Sequence, residues 1–278
     1  MLAKNYIMKR TSVIAAAMLS LFCLASCERY ETRGLRIVQY NVGAFSKVLE
    51  SSIPMIADMM QEIGADAISL NELDSCNARH DYYQLEMFAE TVGEWDYRYG
   101  KAFDYKGGGY GVGVTCKDAI IDHFTISLDK ADGAEYRACC VVETDDYVLA
   151  STHLDHVSDA ARLSQARTIA STLKERYGKS RKPVFLCGDL NATPESETVM
   201  ELLKDFRMVS VTEQPTFEPT DPQECIDYIM VLANKAKVNV IASSVMTDFE
   251  TGDITLASDH MPVCADVQFA VKASAPEK

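Results

Sequence analysis

The sequence contains no Cys-x-x-Cys pair, no internal repeat and no segment with the composition of a linker. Seven of its nine cysteines follow residue 27, and they are scattered along the chain. An odd, scattered set of this kind is a poor disulfide framework. Cys139, Cys140, Cys187 and Cys264 lie in apolar strand-like runs, where a free cysteine acts as a small hydrophobic residue. We therefore assign the cysteines after residue 27 no chemistry.

Positive charge is also scarce, because 27 lysines and arginines face 41 aspartates and glutamates, which gives a formal net charge of −14. This balance opposes loose binding to nucleic acids, although it does not exclude a short local patch. The one obvious basic cluster consists of Lys174, Arg176, Lys179, Arg181 and Lys182. It ends a helix-like stretch, where the helix dipole favours cations, and it precedes the strand-like run 184–187. We interpret this cluster as structural.

The glycine-rich stretch KGGGYGVGV, residues 106–114, has no phosphate-loop spacing. It matches neither the dinucleotide-binding pattern nor the P-loop pattern. We interpret it as a turn that enters a strand.

The amino terminus has the pattern of an export signal. Residues 1–10 carry three positive charges and no negative one, and residues 13–25 are apolar apart from Ser20. This apolar stretch is too short to span a bilayer, so residues 1–26 are predicted to be a signal peptide. Its end, Leu24-Ala25-Ser26-Cys27, resembles the lipobox of bacterial lipoproteins, in which the cysteine is lipidated. Plain secretion with an unmodified Cys27 is the alternative.

Removal of this signal would leave 24 basic residues against 41 acidic ones, a net charge of −17. Several acyl chains on one cysteine hold a protein stably at a membrane. We therefore expect an exported lipoprotein, anchored through Cys27 at the periplasmic face or the cell surface of a bacterium.

The remaining chain, about 250 residues long, suits one large domain. We expect a short tether at 27–34, the domain at 35–270 and a disordered tail at 271–278. Strand-like runs occur at ten places, 35–40, 67–70, 110–116, 120–128, 138–143, 147–152, 184–187, 226–232, 238–245 and 263–269. Helical periodicity occurs at 53–63, 82–92, 160–177 and 195–203. So many strands with few long helices predict two packed sheets covered by outer helices. We expect the protein to be a monomer.

The stretch FLCGDLNATPES, residues 185–196, places polar side chains directly after an apolar strand-like run. In an extended chain the side chains at i and i+2 project from one face, so Asp189 and Asn191 are expected to point the same way. Thr193 and Pro194 predict the N-cap and the first turn of a helix. Taken alone, the stretch also has the composition of an ordinary strand-to-helix turn.

Other apolar runs end in polar residues in the same manner. They are LRIVQYN with Asn41, AISLNE with Glu72, and YVLASTHLD with His153 and Asp155, while Asp259 and His260 precede a strand in ASDHMPV. Each residue alone has an ordinary structural interpretation. Together they predict a ligand site at the rim of a layered α/β fold, where loops vary and the sheet holds them rigid.

At these residues the chain resembles the endonuclease/exonuclease/phosphatase family of metal-dependent phosphoesterases. The matching motifs, in the family's order over residues 35–269, are QYNVG, LNELD, YGVGV, STHLDH, GDLNATPES, CIDYIMV and SDHMPV. The resemblance implies a four-layer α/β/β/α sandwich of two mixed β-sheets flanked by helices, with the site at one edge. LNE departs mildly from the more common LQE and leaves Glu72 in place.

The resemblance also implies roles for the site residues. Glu72 is implied as the central metal ligand with Asn41 and Asp259 beside it, and Asp227 is implied to orient the ring of His260. Oxygen ligands of this kind suit Mg²⁺ or Mn²⁺ rather than structural zinc.

The remaining candidates handle the attacking water and the phosphate oxygens. Asp189 would orient or deprotonate the water, Asn191 would fix its geometry, and His153 would donate to a non-bridging oxygen. Asp155 is a weaker candidate, and Arg162 is expected to brace the site from its helix. Which residue is the base and which the acid stays open.

The expected function is therefore metal-dependent hydrolysis of a phosphate ester by in-line attack of water, on a small or lipid-like substrate. An exported nuclease acting on DNA or RNA is the main alternative. A lipid-anchored binding protein that kept the fold and lost activity is an alternative of another class. None of the metal-binding or SDH residues is missing, which favours an enzyme.

We predict that Cys27→Ser releases the protein into the soluble fraction or leaves it unprocessed, because the export signal ahead of Cys27 is complete. Fractionation and mass spectrometry of the mature protein would measure this. An unmodified Cys27 in the mature wild-type protein would contradict the anchoring prediction.

Overall fold

Two six-stranded sheets form the frame of residues 30–273, the part of the chain that the computed structural model describes. The strands are β1 (Tyr30–Asn41), β2 (Ala67–Ser75), β3 (Asp96–Tyr105), β4 (Gly108–Cys116), β5 (Asp122–Leu128), β6 (Arg137–Glu143), β7 (Val148–His153), β8 (Val184–Asp189), β9 (Phe206–Met208), β10 (Asp227–Leu232), β11 (Val238–Val245) and β12 (Val263–Lys272). The helices are α1 (Ile53–Ile63), α2 (Gln84–Gly93), α3 (Asp159–Tyr177), α4 (Glu197–Leu202) and α5 (Ile254–Ala257). The predicted signal peptide and Cys27 lie outside the described residues.

Each sheet contains a parallel pair that a helix connects. The first sheet has the order β11-β12-β1-β2-β4-β3, and its parallel pair β1–β2 is joined through α1. The second has the order β5-β6-β7-β8-β10-β9, and its parallel pair β7–β8 is joined through α3. A parallel pair needs such a crossover, and its two carboxyl ends meet at one edge. Asn41 therefore lies opposite Asn71, and His153 lies opposite Asp189.

The layers follow from where the apolar side chains lie. Ile56 and Met60 of α1 and Phe88 of α2 belong to one buried cluster with residues of the first sheet and the facing side of the second. Ile169 and Leu173 of α3 pack in a separate cluster against the outer side of the second sheet. The predicted four-layer α/β/β/α sandwich is confirmed. Within residues 30–273, no helix combines the length and the apolar composition of a membrane span.

The ends of the two crossover helices, α1 and α3, carry residues that typically begin or end a helix. Pro54 lies in the first turn of α1, and Gly64 ends that helix in a left-handed conformation. At α3, the Ser158 hydroxyl accepts a hydrogen bond from the Ala161 amide, which caps one of the unpaired N–H groups. These caps fix the crossover helices over the parallel pairs.

The structure differs from the sequence predictions at several boundaries. β3 and β9 were not predicted, because β3 is a half-buried edge strand with interspersed charges and β9 has three residues. β1 begins at Tyr30 and β12 ends at Lys272, so residues 30–34 and 271–272 are strand rather than tether or tail. Residues 274–278 lie outside the described part. The prediction of Thr193 as an N-cap is wrong, because Ser196 caps α4 by accepting from the Val199 amide.

The cysteines and the basic cluster occupy the places that the sequence indicates. All seven described cysteines are free, and Cys139, Cys140, Cys187 and Cys264 are buried. In the basic cluster, Lys174 pairs with Asp205, Arg176 with Asp122, and Lys182 with Glu143. This cluster precedes β8, whereas Asp189 ends that strand, so the two lie at opposite ends of β8.

We predict that Gly188→Ala lowers the stability of the fold by about 1–3 kcal/mol, the usual cost of overpacking. A Cβ atom at residue 188 would lie 2.2 Å from the Thr152 carbonyl oxygen on the neighbouring strand β7. The matched control is Gly34→Ala in β1, where an added Cβ meets nothing within 4 Å. Thermal unfolding of both variants would measure the effect, and equal melting temperatures would contradict it.

Candidate active site

The predicted site residues gather at one end of both sheets, around an open cavity of about 460 Å³. Asn41, His153 and Asp189 end their strands, and Asp227 begins β10. The cavity is lined by Lys47, Glu72, Tyr110, Glu135, Arg137, His153, His156, Arg162, Asp189, Asn191, Phe217, Glu224, Ile226, Asp259 and His260. Seven of the predicted residues line the cavity, namely Glu72, His153, Arg162, Asp189, Asn191, Asp259 and His260. The other three, Asn41, Asp155 and Asp227, are buried and do not line it.

A β-bulge aims Glu72 into the cavity. In the pairing of β2 with β4, Leu70 faces Gly113 and Leu73 faces Gly111, so that Asn71 and Glu72 together oppose one residue. Glu72 has a left-handed backbone with φ of 60°, which is unusual for a residue with a side chain. Bulges re-aim side chains next to active sites. Because of the bulge, the side chain of Asn71 is buried between the sheets, whereas the side chain of the adjacent Glu72 lines the cavity.

His260 and Asp227 form a buried pair. Nδ1 of His260 lies 2.8 Å from Oδ2 of Asp227, which also accepts a hydrogen bond from the Thr216 hydroxyl at 2.8 Å. Burial acts to lower the pKa of His260, but Asp227 and Asp189 outweigh it and raise the pKa to about 10. Phe217 packs on the imidazole with ring centroids 4.8 Å apart. The ring is thus fixed, and its Nε2 faces the site.

Asp189 lies at the centre of the buried polar groups. Its Oδ2 accepts from Nδ2 of Asn41 at 3.0 Å and lies 3.4 Å from Nε2 of His153 and 3.6 Å from Nε2 of His260. Burial raises the pKa of Asp189 to about 7, while the charge on His260 acts in the opposite direction. A carboxylate tuned in this way can exchange a proton near neutral pH.

Asn191 reaches the cavity by a different route from the one the sequence indicated. It has a left-handed backbone with φ of 48°, and its amide donates to Oδ1 of Asp189 at 2.9 Å. Its Nδ2 donates to the Leu154 carbonyl at 3.1 Å. The prediction that Asp189 and Asn191 lie together on an extended chain is therefore wrong, because β8 ends at Asp189 and the chain turns there. Asp189 and Asn191 nevertheless both line the cavity.

Asp155 and Arg162 brace the loops on one side of the cavity. Asp155 is fully buried and accepts hydrogen bonds from the backbone amides of Ala134, Val157 and Ser158. Burial acts to raise its pKa, but these amides outweigh it and lower the pKa. Nη1 of Arg162 donates to the Asp155 carbonyl at 2.9 Å, as expected for a bracing residue.

Arg137, which lines the cavity together with His153 and His156, was not among the residues predicted from the sequence. Arg137 is 3% exposed, and its Nη1 and Nη2 atoms lie 3.4 Å from Nδ1 of His153 and 3.1 Å from Nδ1 of His156. Because a guanidinium only donates, the proton of a neutral His153 lies on Nε2, toward the site. Burial and Arg137 keep the pKa of His153 well below its usual value. The Nε atom of Arg137 has no hydrogen-bond partner among the described residues.

Two groups of residues could hold a divalent cation. Asp189, Asp227 and His260 have ligand atoms within 4.8 Å of one another, but both oxygens of Asp227 already accept hydrogen bonds, from Gln39 and Thr216. That group fits a proton-handling role better than a metal site. Glu72 and Asp259 instead line the open cavity, where they face the ammonium of Lys47 at 4.0 and 2.6 Å.

Glu72 and Asp259 fit a hard cation, because carboxylate oxygens are the ligands that Mg²⁺ prefers. Both carboxylates already face the positive charge of Lys47. Asn41 lies beside them with its Nδ2 atom 3.2 Å from Oε1 of Glu72, while its Oδ1 accepts from the Gly43 amide. In this orientation Asn41 acts as a donor to the carboxylate, and its role as a ligand stays a prediction.

The buried support of the site was also missed. Gln39 and Asn71 are fully buried in strands, and Nε2 of Gln39 donates to Oδ1 of Asn71 at 2.5 Å. Oδ1 of Asn71 also accepts from the Asp189 amide at 3.0 Å, while its Nδ2 donates to the Thr152 carbonyl at 2.9 Å. A polar residue inside an apolar run was the available signal, because buried polar groups need partners.

Solved structures of similar fold come from several organisms. A family protein from Bacteroides thetaiotaomicron has a TM-score of 0.71 and 19% identity, covering 90% of this chain and 100% of its own. A mannosyl-6-phosphatase from the same species has a TM-score of 0.69 and 20% identity, with coverages of 84% and 99%. The human nocturnin catalytic domain, with bound sulfate, has a TM-score of 0.63 and 14% identity, with coverages of 87% and 97%.

At these identities the structures establish the fold alone, and a comparison with curated protein sequences finds no match. The sequence model of the Endonuclease/Exonuclease/phosphatase family matches residues 38–260. That range spans the chain from Asn41, at the end of β1, to His260, ahead of β12. The chain therefore belongs to the Endonuclease/Exonuclease/phosphatase family.

Proposed function

We propose that the protein is a divalent-metal-dependent hydrolase of phosphate esters that acts on a small or lipid-like substrate. The observation that carries this proposal is the charge arrangement of the cavity. Glu72 and Asp259 line it beside the ammonium of Lys47, and Arg137, His153 and Arg162 line the same cavity. A phosphoryl group, which is anionic and needs both a metal and hydrogen-bond donors, suits a cavity of this kind.

The metal would be held by Glu72 and Asp259, with Asn41 beside them. When bound, Mg²⁺ or Mn²⁺ supplies a Lewis acid that offsets the charge of the phosphoryl oxygens. The Nε2–H group of His153, backed by Arg137, would donate to a non-bridging oxygen. These donors would bind the phosphoryl group and orient it for in-line attack.

The attacking water would be handled by Asp189 and His260. Both face the same buried corner, and Asn191 holds Asp189 through its backbone amide. Asp227 fixes the ring of His260 and favours its charged form, which is the arrangement of an acid that holds a histidine in one orientation. Asp189, with its pKa near neutrality, is the better candidate for the base, and His260 for a donor to phosphate.

A compact substrate is favoured over a long polyanion. Glu135 and Glu224 line the same cavity, and the basic cluster that ends α3 lies at the other end of β8. Among the similar structures, the mannosyl-6-phosphatase acts on a sugar phosphate, which makes this class a natural first substrate to test. An exported nuclease is the alternative that the same experiment distinguishes.

We also propose that the protein is exported and anchored at a bacterial membrane through Cys27. The support is the charged, apolar and lipobox-like order of residues 1–27.

We predict that exhaustive EDTA treatment abolishes hydrolysis and that added Mg²⁺ or Mn²⁺ restores it. Glu72→Gln should raise the metal concentration needed for half-maximal activity by about 10-fold or more, because a charged ligand is lost. The matched control is Glu175→Gln, an exposed residue of α3. Full activity of the wild-type enzyme after EDTA would refute metal dependence.

We predict that His260→Ala and Asp189→Asn each lower kcat by about 100-fold or more, the usual contribution of a general acid or base. His123→Ala, which removes an exposed histidine of β5, should leave kcat unchanged. Circular dichroism and thermal unfolding would verify that each variant folds. A folded, fully active His260→Ala protein would show that His260 has no such role.

We predict a higher kcat/KM for small phosphate esters than for duplex DNA at equal ionic strength. The proposed mature charge of −17 repels a long polyanion, whereas a compact substrate meets mainly the local field, since charges are screened over about 10 Å at 0.1 M salt. The panel should include a sugar phosphate, p-nitrophenyl phosphate, bis-p-nitrophenyl phosphate, inositol phosphates, sphingomyelin and DNA. A clear advantage for DNA would support the nuclease instead.

A further inference from the structure

The chain leaves β1 through an unusual turn. Gly43, Ala44 and Phe45 are consecutive left-handed residues with φ of 54°, 53° and 51°. Alanine and phenylalanine rarely adopt this conformation, because the Cβ atom crowds the following carbonyl oxygen. Such strained residues persist only where the surrounding structure holds them, and they cluster at functional sites.

The surroundings hold this turn firmly. Phe45 is fully buried and packs on Phe88 of α2 with ring centroids 5.3 Å apart. The Ala44 carbonyl accepts from Nε2 of Gln84 at 2.7 Å, and the Phe45 amide donates to the Val42 carbonyl at 2.7 Å. The strained turn is therefore a rigid part of the fold.

The turn positions the Lys47 side chain beside Glu72 and Asp259, the proposed metal ligands. Its ammonium lies 2.6 Å from Oδ2 of Asp259 and 4.0 Å from Oε2 of Glu72. The methylene groups of Lys47 pass over Gly43, where an added Cβ would lie 2.2 Å from Cγ of Lys47. Gly43 thus supplies both the left-handed backbone and the space that this side chain needs.

The position of Lys47 is more specific than that of an ordinary surface ion pair. The ammonium contacts two carboxylates that come from distant parts of the chain and that line the cavity together with it. It stands where a metal ion would find its first two charged ligands. An ammonium and a divalent cation cannot both make full use of the same carboxylate oxygens.

We propose that Lys47 is a positioning residue that holds Glu72 and Asp259 together in the metal-free protein and competes with the divalent cation for them. Lys47 therefore lowers and sets the affinity of the metal site. This inference rests on the proposed function, because it takes Glu72 and Asp259 as the metal ligands.

The test is the binding of Mn²⁺ to the metal-free mature protein, measured by isothermal titration calorimetry. Lys47→Met, which removes the charge and keeps a long unbranched side chain, should bind Mn²⁺ at least about fivefold more tightly than wild type, the effect of one unit charge near 4 Å even in water. Lys47→Arg should stay close to wild type. Lys101→Met, which removes an exposed lysine paired with Asp104, should leave the affinity unchanged.

A second readout separates competition from a general change of charge. In EDTA, Lys47→Met should melt at a lower temperature than wild type, because Glu72 and Asp259 then repel each other, and saturating Mn²⁺ should remove this difference. If Lys47→Met folds poorly, Lys47→Gln provides the same comparison.

Unchanged or weaker Mn²⁺ binding by the folded Lys47→Met or Lys47→Gln protein would overturn the inference, as would an equal gain in Lys101→Met. Absence of Mn²⁺ binding to every variant, wild type included, would instead overturn the proposed metal-dependent function. The two failures are therefore distinguishable.

Discussion

The hydrogen bonds of the Asn71 side chain are the constraint on which the site depends. Its amide joins Gln39 on β1, the Thr152 carbonyl on β7 and the Asp189 amide at the end of β8. A buried amide that loses a partner carries a large desolvation penalty, so the two sheets can dock in only one register at this end. The same bonds fix where Asp189 begins its turn, and the other polar groups are arranged around that carboxylate. A packed apolar interface alone would tolerate small displacements of one sheet relative to the other, whereas this hydrogen-bond network does not.

The sequence predicted the elements whose signals are local. Apolar runs and helical periodicity located the main strands and helices, and polar residues at strand ends indicated Asp189, His153 and Asn41, because parallel strands bring their carboxyl ends to one edge. The bulge at Glu72 and the left-handed turn at Asn191 were beyond this reasoning, since both depend on pairing with other strands and loops. Lys47 lies in the loop after β1 and Arg137 begins β6, so neither residue follows an apolar run, and only the tertiary structure shows that both line the cavity. β3 was missed because its charged residues and the register shift between Lys101 and Phe103 interrupt the alternation of apolar side chains.

The electrostatics of the cavity differ from those of the chain as a whole. The sequence carries an excess of 14 negative charges, yet the guanidinium groups of Arg137 and Arg162 line the cavity. Burial makes these few charges count for more than many exposed ones, because solvent and salt screen surface charges effectively. Net charge therefore governs long-range attraction and repulsion, whereas the local field in the cavity depends on a few buried charged groups.

The division of the site between two sheets has a consequence for folding. Asn41 contacts Asp189 and His260, which follow it by 148 and 219 residues, so these contacts form only when nearly the whole chain is in place. Contacts of such long sequence separation form late and slowly. The chain must lose the entropy of closing a long loop before the favourable contacts can form. Neither sheet alone carries a complete set of reactive groups. A chain in which the two sheets have not docked therefore lacks the complete arrangement of site residues.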